Sequence, residues 1–400
     1  MPSITCLAIL QPGRGKNAWD NVLAFVPETV PSHVQDNIIR LSLGVAPFMS
    51  TFTNEPISSI TCASNHLVFW SSSEYIFVAV LSSVRTHSRF SNMLIQSLLG
   101  HTFNLMSFAL GPLCDVSSDI LKAHFSRHIE RLITPNIYNV SFLFSCYQTL
   151  RLTPQLGLAA SCVVSRIVDQ SDSSVAISAA CLLHHDKVIH STLSPADTVL
   201  LFHFLKYTDT DVIGSSFASA CHSVIIIKSP LHLSHDHSPL GMVMIKTGQL
   251  TSCFFSPNHE IDFLEGVASF ITNNFSTQLL SVSKGLMLNS GKRFENDDYA
   301  FVLFDCNTHV LDVGMEPFSL EATIVFLRLY QVYFGDSVDS YPNGHKSVIE
   351  KVSPKEWIFV EKELNRLFVL NVKSSSNSST EIQLLVDQMK ETIGLAGICL

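Results

Sequence analysis

Tyr299-Ala300-Phe301-Val302-Leu303-Phe304, Asp305-Cys306-Asn307-Thr308 and Val310-Leu311-Asp312-Val313 read in order as a strand, a turn and a returning strand. A short connection leads from there into a helix predicted over Ser319 to Phe334. Its apolar residues Leu320, Ile324, Leu327 and Val332 recur at helical spacing and mark one face. The same order of elements occurs twice more upstream, and that recurrence decides the fold.

In the middle of the chain, Val175 to Leu183 is strand-like, His184-His185-Asp186-Lys187 turns, and Val188-Ile189-His190-Ser191 returns. Ser194-Pro195-Ala196-Asp197 then has the composition of a helix start, with a serine cap, a proline in the first turn and an acid placed to reach back. Near the start, Ile4–Leu10 and Val22–Val26 flank a turn holding Pro12, Gly13 and Gly15. Pro31 and Ser32 open a helix there, with Gln35 placed to complete a capping box, and Pro47 is expected to bend or shorten its last turn. Further strands and a second helix follow in each case. They are 57–62, 67–70, 74–81 and helix 92–110; 223–228, 242–246, 251–255 and a helix from Asn258; then 357–360, 367–372 and a helix opened by Thr380.

Each unit is therefore strand–strand–helix–strands–helix. Hairpins imply antiparallel sheets with helices packed on them, an α/β chain of the α+β kind. The expected domains are 1–135, 155–288 and 296–400. Boundaries are expected near Pro135 and Pro154 and at Asn289-Ser290-Gly291-Lys292-Arg293, while 208–220, 229–239 and 335–355 read as surface loops.

Composition narrows the function. Charged residues make up 15% and hydrophobic residues 46% of the 400, against about 25% charged in ordinary soluble chains. So little charge implies large buried sheets together with surfaces that partners cover. The net charge of −9 argues against nucleic acid and against unaided binding to acidic lipid. No apolar run approaches the length of a membrane span, and the first residues lack the pattern of a signal peptide. The ten cysteines are scattered without a C-x-x-C pair, which suits free thiols in a reducing, cytoplasmic setting, and the sequons at Asn139, Asn274 and Asn377 read as accidental.

Chemistry-bearing patterns are few. Gly13-Arg14-Gly15-Lys16 lacks the preceding glycine and following Ser or Thr of a phosphate loop. His232, His235, Asp236 and His237 form the best metal candidate, with His184-His185-Asp186 behind it, but both read first as polar loops. Glu295-Asn296-Asp297-Asp298 reads as a solvated linker, and no ordered Ser/His/Asp set emerges. The expectation is a protein with no catalytic residues, no metal and no cofactor that works by gripping other proteins.

The threefold unit resembles the longin or roadblock fold, and three in one chain is the arrangement of the tri-longin family. Ile9-Leu10-Gln11-Pro12-Gly13, Phe25-Val26-Pro27-Glu28, Ile38-Ile39-Arg40, Phe48 with Phe52, Leu279–Ser283, Lys292-Arg293-Phe294 and Arg366–Asn371 resemble stretches of its Ccz-type vacuolar fusion members in order and spacing. The family has Tyr-Asn-Pro where this chain has Leu10-Gln11-Pro12, and an aromatic-rich Phe-Tyr-His where it has apolar residues at 25–26. The resemblance implies a heterodimer with a Mon-type longin protein, acting as a guanine-nucleotide exchange factor on a late-endosomal or vacuolar Rab GTPase. It further implies peripheral attachment to late-endosome, lysosome or vacuole membranes through partners, with room for a third scaffold subunit. Val26, Pro27, Ile38, Phe48 and Phe52 are the expected partner and Rab interface. The alternative within the family is a ciliary and planar-polarity scaffold of the Fuzzy or Inturned kind.

Overall fold

Alternating apolar residues build three sheets in the computed structural model. It describes residues 3–393 apart from 28, 53–56, 63–64, 73, 83–88, 114–115, 118, 122–138, 151, 172–174, 208–213, 219–221, 235–237, 290–298, 306, 315–319, 331–345, 355, 364–365 and 374–378. The strands are β1 (Ser3–Leu10), β2 (Val22–Val26), β3 (Ser59–Cys62), β4 (Asn65–Ser71), β5 (Ile76–Ser82), β6 (Tyr147–Gln148), β7 (Ala179–His184), β8 (Lys187–Ser191), β9 (Gly214–Ala218), β10 (Ser223–His232), β11 (Pro239–Thr247), β12 (Leu250–Ser256), β13 (Tyr299–Asp305), β14 (Val310–Gly314), β15 (Lys346–Ser353), β16 (Glu356–Glu363) and β17 (Arg366–Lys373). The helices are α1 (Ser32–Ser50), α2 (Arg89–Leu110), α3 (Pro154–Asp169), α4 (Pro195–Tyr207), α5 (Ile261–Asn289), α6 (Leu320–Tyr330) and α7 (Ser379–Ile393), with a single helical turn at Val140–Leu143.

The sheet orders are β2-β1-β5-β4-β3, β8-β7-β12-β11-β10-β9 and β15-β16-β17-β13-β14-β6. Numbered within each repeat, the five common strands follow the order 2-1-5-4-3 in all three sheets. A helix stands between strands 2 and 3 of each repeat and another after strand 5. The fold is α+β with three antiparallel sheets, and β6 adds a parallel edge to the third.

Period-two alternation sets the layers. In the first sheet Cys6, Ala8, Leu10, Leu67, Phe69, Ile76, Val78 and Val80 face Ile38 and Ile39 of α1. On the opposite face Trp70 and Phe77 stack on Phe103 of α2. In the second sheet Ala180, Leu182, Val243, Ile245 and Phe254 meet Val163 and Val164 of α3 and Leu264, Val267 and Ile271 of α5. In the third, Phe301, Phe359 and Phe368 receive Ile382 and Val386 of α7. The chain divides into two compact units, Met1–Leu143 with Phe204–Thr208 and Leu231–Pro239, and Phe144–His203 with Asp209–Pro230 and Leu240–Leu400.

Several expectations are corrected. The supposed loop 208–220 contains β9, the loop 335–355 contains β15, and 229–239 is shortened at both ends by β10 and β11. Gly-Ser-Ser-Phe-Ala and Lys-Ser-Val-Ile-Glu-Lys-Val-Ser are too polar or too small to look like strands, yet edge strands need mainly backbone pairing. Pro154 opens α3 behind Thr153, a helix the sequence reading did not place. The strand read from Val175 begins at Ala179, and the helix read from Asn258 begins at Ile261. Pro47 does not end α1, which runs on to Ser50 although a proline there forfeits the amide that would bond the Leu43 carbonyl. Gln35 donates to the Val30 carbonyl at 2.6 Å instead of completing a box with Ser32, which lies inside the helix.

Within the second unit the chain between α2 and α3 joins two sheets. Tyr147 and Gln148 pair in parallel with Val310 and Leu311 of β14, and Thr149 bridges Val188 of β8. The Tyr147 amide donates to the His309 carbonyl at 3.1 Å, and the Leu150 amide to the Val188 carbonyl at 3.0 Å. Residues 147–150 thereby close the strand-2 edges of the second and third sheets together.

Candidate partner-binding surface

The α1 helix sorts the expected interface residues by its own periodicity. Val34, Ile38 and Leu41 pack inward on the first sheet, and Ile38 is 4% exposed. Val26 is likewise buried as the last residue of β2. Ile38 and Val26 are thus core residues and offer a partner no side-chain surface. The apolar spacing that marks a docking helix also marks a buried one.

Phe48 and Phe52 are different. They are 60% and 71% exposed, with ring centroids 4.9 Å apart in a tilted pair. The Thr51 hydroxyl and amide both donate to the Phe48 carbonyl, at 2.6 and 3.2 Å, and so fix the helix end that presents them. Two exposed aromatic rings in mutual contact form a patch that water solvates poorly. Pro27 is half-buried, follows a cis peptide bond after Val26, and accepts the Val30 amide at 3.4 Å in the turn before α1.

The outer face of α1 continues from these rings at i, i+4 spacing through Gly44 and Arg40 to Asp36. No atom lies within 4 Å of where a Gly44 Cβ would stand, so bare helix backbone is open there. Arg40 Nε donates to Asp36 Oδ2 at 2.7 Å, and the indole N–H of Trp19 donates to Asp36 Oδ1 at 3.2 Å. Trp19, 44% exposed, thereby anchors the far end of the stripe. Sequence reading passed over Trp19; a tryptophan among polar loop residues was the available signal.

The other candidates fall into structural roles. Asn21 Oδ1 accepts the Arg14 and Gly15 amides at 2.9 and 3.3 Å. Two of the N–H groups a phosphate would need there, those of Arg14 and Gly15, are therefore already engaged. His184 is buried, and burial followed by the adjacent His185 pushes its pKa down. His232 packs against Gly111, whose positive φ of 80° and missing Cβ admit the ring; a Cβ would stand 2.8 Å from it. His235, Asp236 and His237 lie outside the described residues, as do Glu295–Asp298 and Asn377. Among the described residues no group of three metal-capable side chains converges. Asn139 caps the helical turn after it, its oxygen accepting from the Ser141 amide at 3.1 Å and its nitrogen donating to the Tyr207 hydroxyl at 3.1 Å. Ser194 and Asp197 do form the expected cap, the hydroxyl donating to the carboxylate at 2.5 Å and accepting the Asp197 amide at 3.1 Å.

Burial pushes the Cys181 thiol up to about 12 and the Cys6 thiol to about 11, the latter against a hydrogen bond with Thr5. These sulfurs are inert core groups. No family model and no curated protein matches the chain.

Proposed function

We propose that this chain is a tri-longin subunit of the Ccz type, which pairs with a Mon-type longin protein to form an exchange factor for a late-endosomal or vacuolar Rab GTPase. The observation that carries the reading is the threefold return of one sheet order, 2-1-5-4-3, with a helix between strands 2 and 3 and another after strand 5. The exposed stripe along α1 and its flanks, from Trp19 through Gly44 to Phe48 and Phe52, is the surface offered to the partner and the Rab. Exchange requires no covalent step. Binding energy spent on holding the Rab switch region open removes contacts from the nucleotide phosphates and Mg²⁺, and the nucleotide leaves. Membrane attachment at the late endosome, lysosome or vacuole comes through the partner, consistent with the net charge of −9.

The test is co-purification with Mon-type and Inturned-type partners, followed by release of fluorescent GDP from a late-endosomal Rab. The expected result is a stable pair with the Mon-type protein that accelerates release, weakened when Phe48 and Phe52 are both alanine. Pairing only with the Inturned-type protein, with release unchanged, overturns the reading in favour of a ciliary scaffold.

A further inference from the structure

We propose that Thr61 is an acyl acceptor: its hydroxyl, activated by His66, attacks a thioester or a comparably activated ester and keeps the acyl group as an O-ester. This does not depend on the exchange-factor reading. Thr61 and His66 flank the turn between β3 and β4 and stand directly opposite each other in the antiparallel register. The Phe69 amide donates to the Ser58 carbonyl at 2.9 Å. Alternation from that bond makes Thr61 and His66 a non-hydrogen-bonded pair, the kind whose side chains approach most closely.

The side chains form one ordered array. Thr61 Oγ1 lies 2.8 Å from His66 Nδ1, and His66 Nε2 lies 2.6 Å from Oδ1 of Asn92 in the first turn of α2. Asn92 Nδ2 donates to Ser59 Oγ at 2.8 Å, which leaves the amide oxygen to accept from His66. In the neutral ring Nε2 therefore carries the hydrogen and Nδ1 the lone pair, and the Thr61 hydroxyl donates to Nδ1. Hydroxyl, imidazole and amide in that order are a nucleophile, its general base and the group that holds the base, a constellation that recurs on unrelated folds.

Exposure separates this array from a core brace. His66 is 3% exposed, Asn92 and Ser59 are half-buried, and Thr61 is exposed. The base is shielded while the nucleophile is open to a reactant. The second sheet holds the contrasting case. Thr247 Oγ1 meets His222 Nδ1 at 2.7 Å, and the Ser283 hydroxyl donates to the Thr247 carbonyl at 2.9 Å. Thr247 is fully buried, so no reactant reaches its hydroxyl.

The array holds no cation of its own to meet a phosphoryl group, so an acyl carbonyl is the fitting electrophile. Thr61 Oγ1 attacks the carbonyl carbon as its proton passes to His66 Nδ1. The new O–C bond forms, the C–S bond of the thioester breaks, and the departing thiolate takes the proton from Nδ1. Asn92 is a positioning residue, whose oxygen holds Nε2–H and favours the ring while it is charged. General-base help contributes about 10²–10⁴-fold. That suits a thioester or aryl ester, whose leaving group departs readily, and is too little for an amide.

The probe is p-nitrophenyl acetate mixed with the full chain. Nitrophenolate release gives the rate, and peptide mass spectrometry locates the acetyl group. We expect Thr61 to be acetylated first, as an ester that survives neutral hydroxylamine, with Thr247 unlabelled. Thr61→Ser should keep the reaction and Thr61→Val should lose it. His66→Gln should slow labelling of Thr61 about a hundredfold. Added imidazole should speed labelling of His66→Gly, and Asn92→Asp should label faster than Asn92→Ala, two recoveries that a merely bracing role would not give. Acetyl groups on lysines or Cys62 with none on Thr61, or Thr61 labelled as fast in His66→Gln as in the parent, would overturn the proposal.

Discussion

Phe48 and Ile38 share one helix and have opposite surroundings. Ile38 is 4% exposed in the first core, so Ile38→Ala should cost about 2–5 kcal/mol in urea unfolding. Phe48→Ala combined with Phe52→Ala should stay within about 0.5 kcal/mol by the same measurement, because both rings already stand in water. His101, edge-on to Phe142 at 4.4 Å, is held by burial at a pKa of about 3 against 6.5 for the free side chain. Its native state refuses the proton that the unfolded chain accepts. Its contribution is therefore complete above about 6.5 and declines as pH falls toward 3, with a slope of about 1.4 kcal/mol per pH unit. Unfolding midpoints at neutral and mildly acidic pH should show this slope, and His101→Leu should flatten it. Among the described thiols, exposed Cys162 should react promptly with a thiol reagent, while Cys181 and Cys253 should react only on unfolding.

Among the elements, Leu150→Pro deletes the amide bonded to the Val188 carbonyl and should loosen the join between the second and third sheets. Hydrogen exchange should quicken along β6 and β14, with a stability loss of about 1–3 kcal/mol. The elements legible in the sequence are those whose own side chains carry the signal. β1, β5, β13 and β17 alternate or run apolar, and Ser194-Pro195-Ala196-Asp197 announces α4 with its own cap. What stayed hidden depends on neighbours. β6 is two residues long and exists only because β14 lies beside it, while β9 and β15 are polar edges. Helix α3 was hidden because Pro154 reads equally as a breaker and as a first-turn residue. The candidate surface was half legible. Phe48 and Phe52 stand exposed and Val26 and Ile38 do not, for apolar periodicity marks a helix face without saying which apolar residues meet solvent.

At the scale of the whole molecule, two compact units imply more than one cooperative transition. Trp19 and Trp70 lie in the first unit and Trp357 in the second. Denaturant unfolding followed by fluorescence in a variant that keeps only Trp357, and in one that keeps only Trp70, should give midpoints that do not coincide. The pairing of residues 145–148 with β14 and the His309 before it has a consequence in time. His309 Nδ1 donates to the Ser145 carbonyl at 3.1 Å across a sequence separation of 164. A ribosome adding about 5–20 residues per second takes roughly ten to thirty seconds to traverse that interval. Throughout it, the nascent segment at Ser145–Gln148 exists while the strand it will join is still unmade. The second sheet therefore waits, with one border only partly sealed, for the third to emerge, and a message cut short between them would release a chain that is sticky by construction.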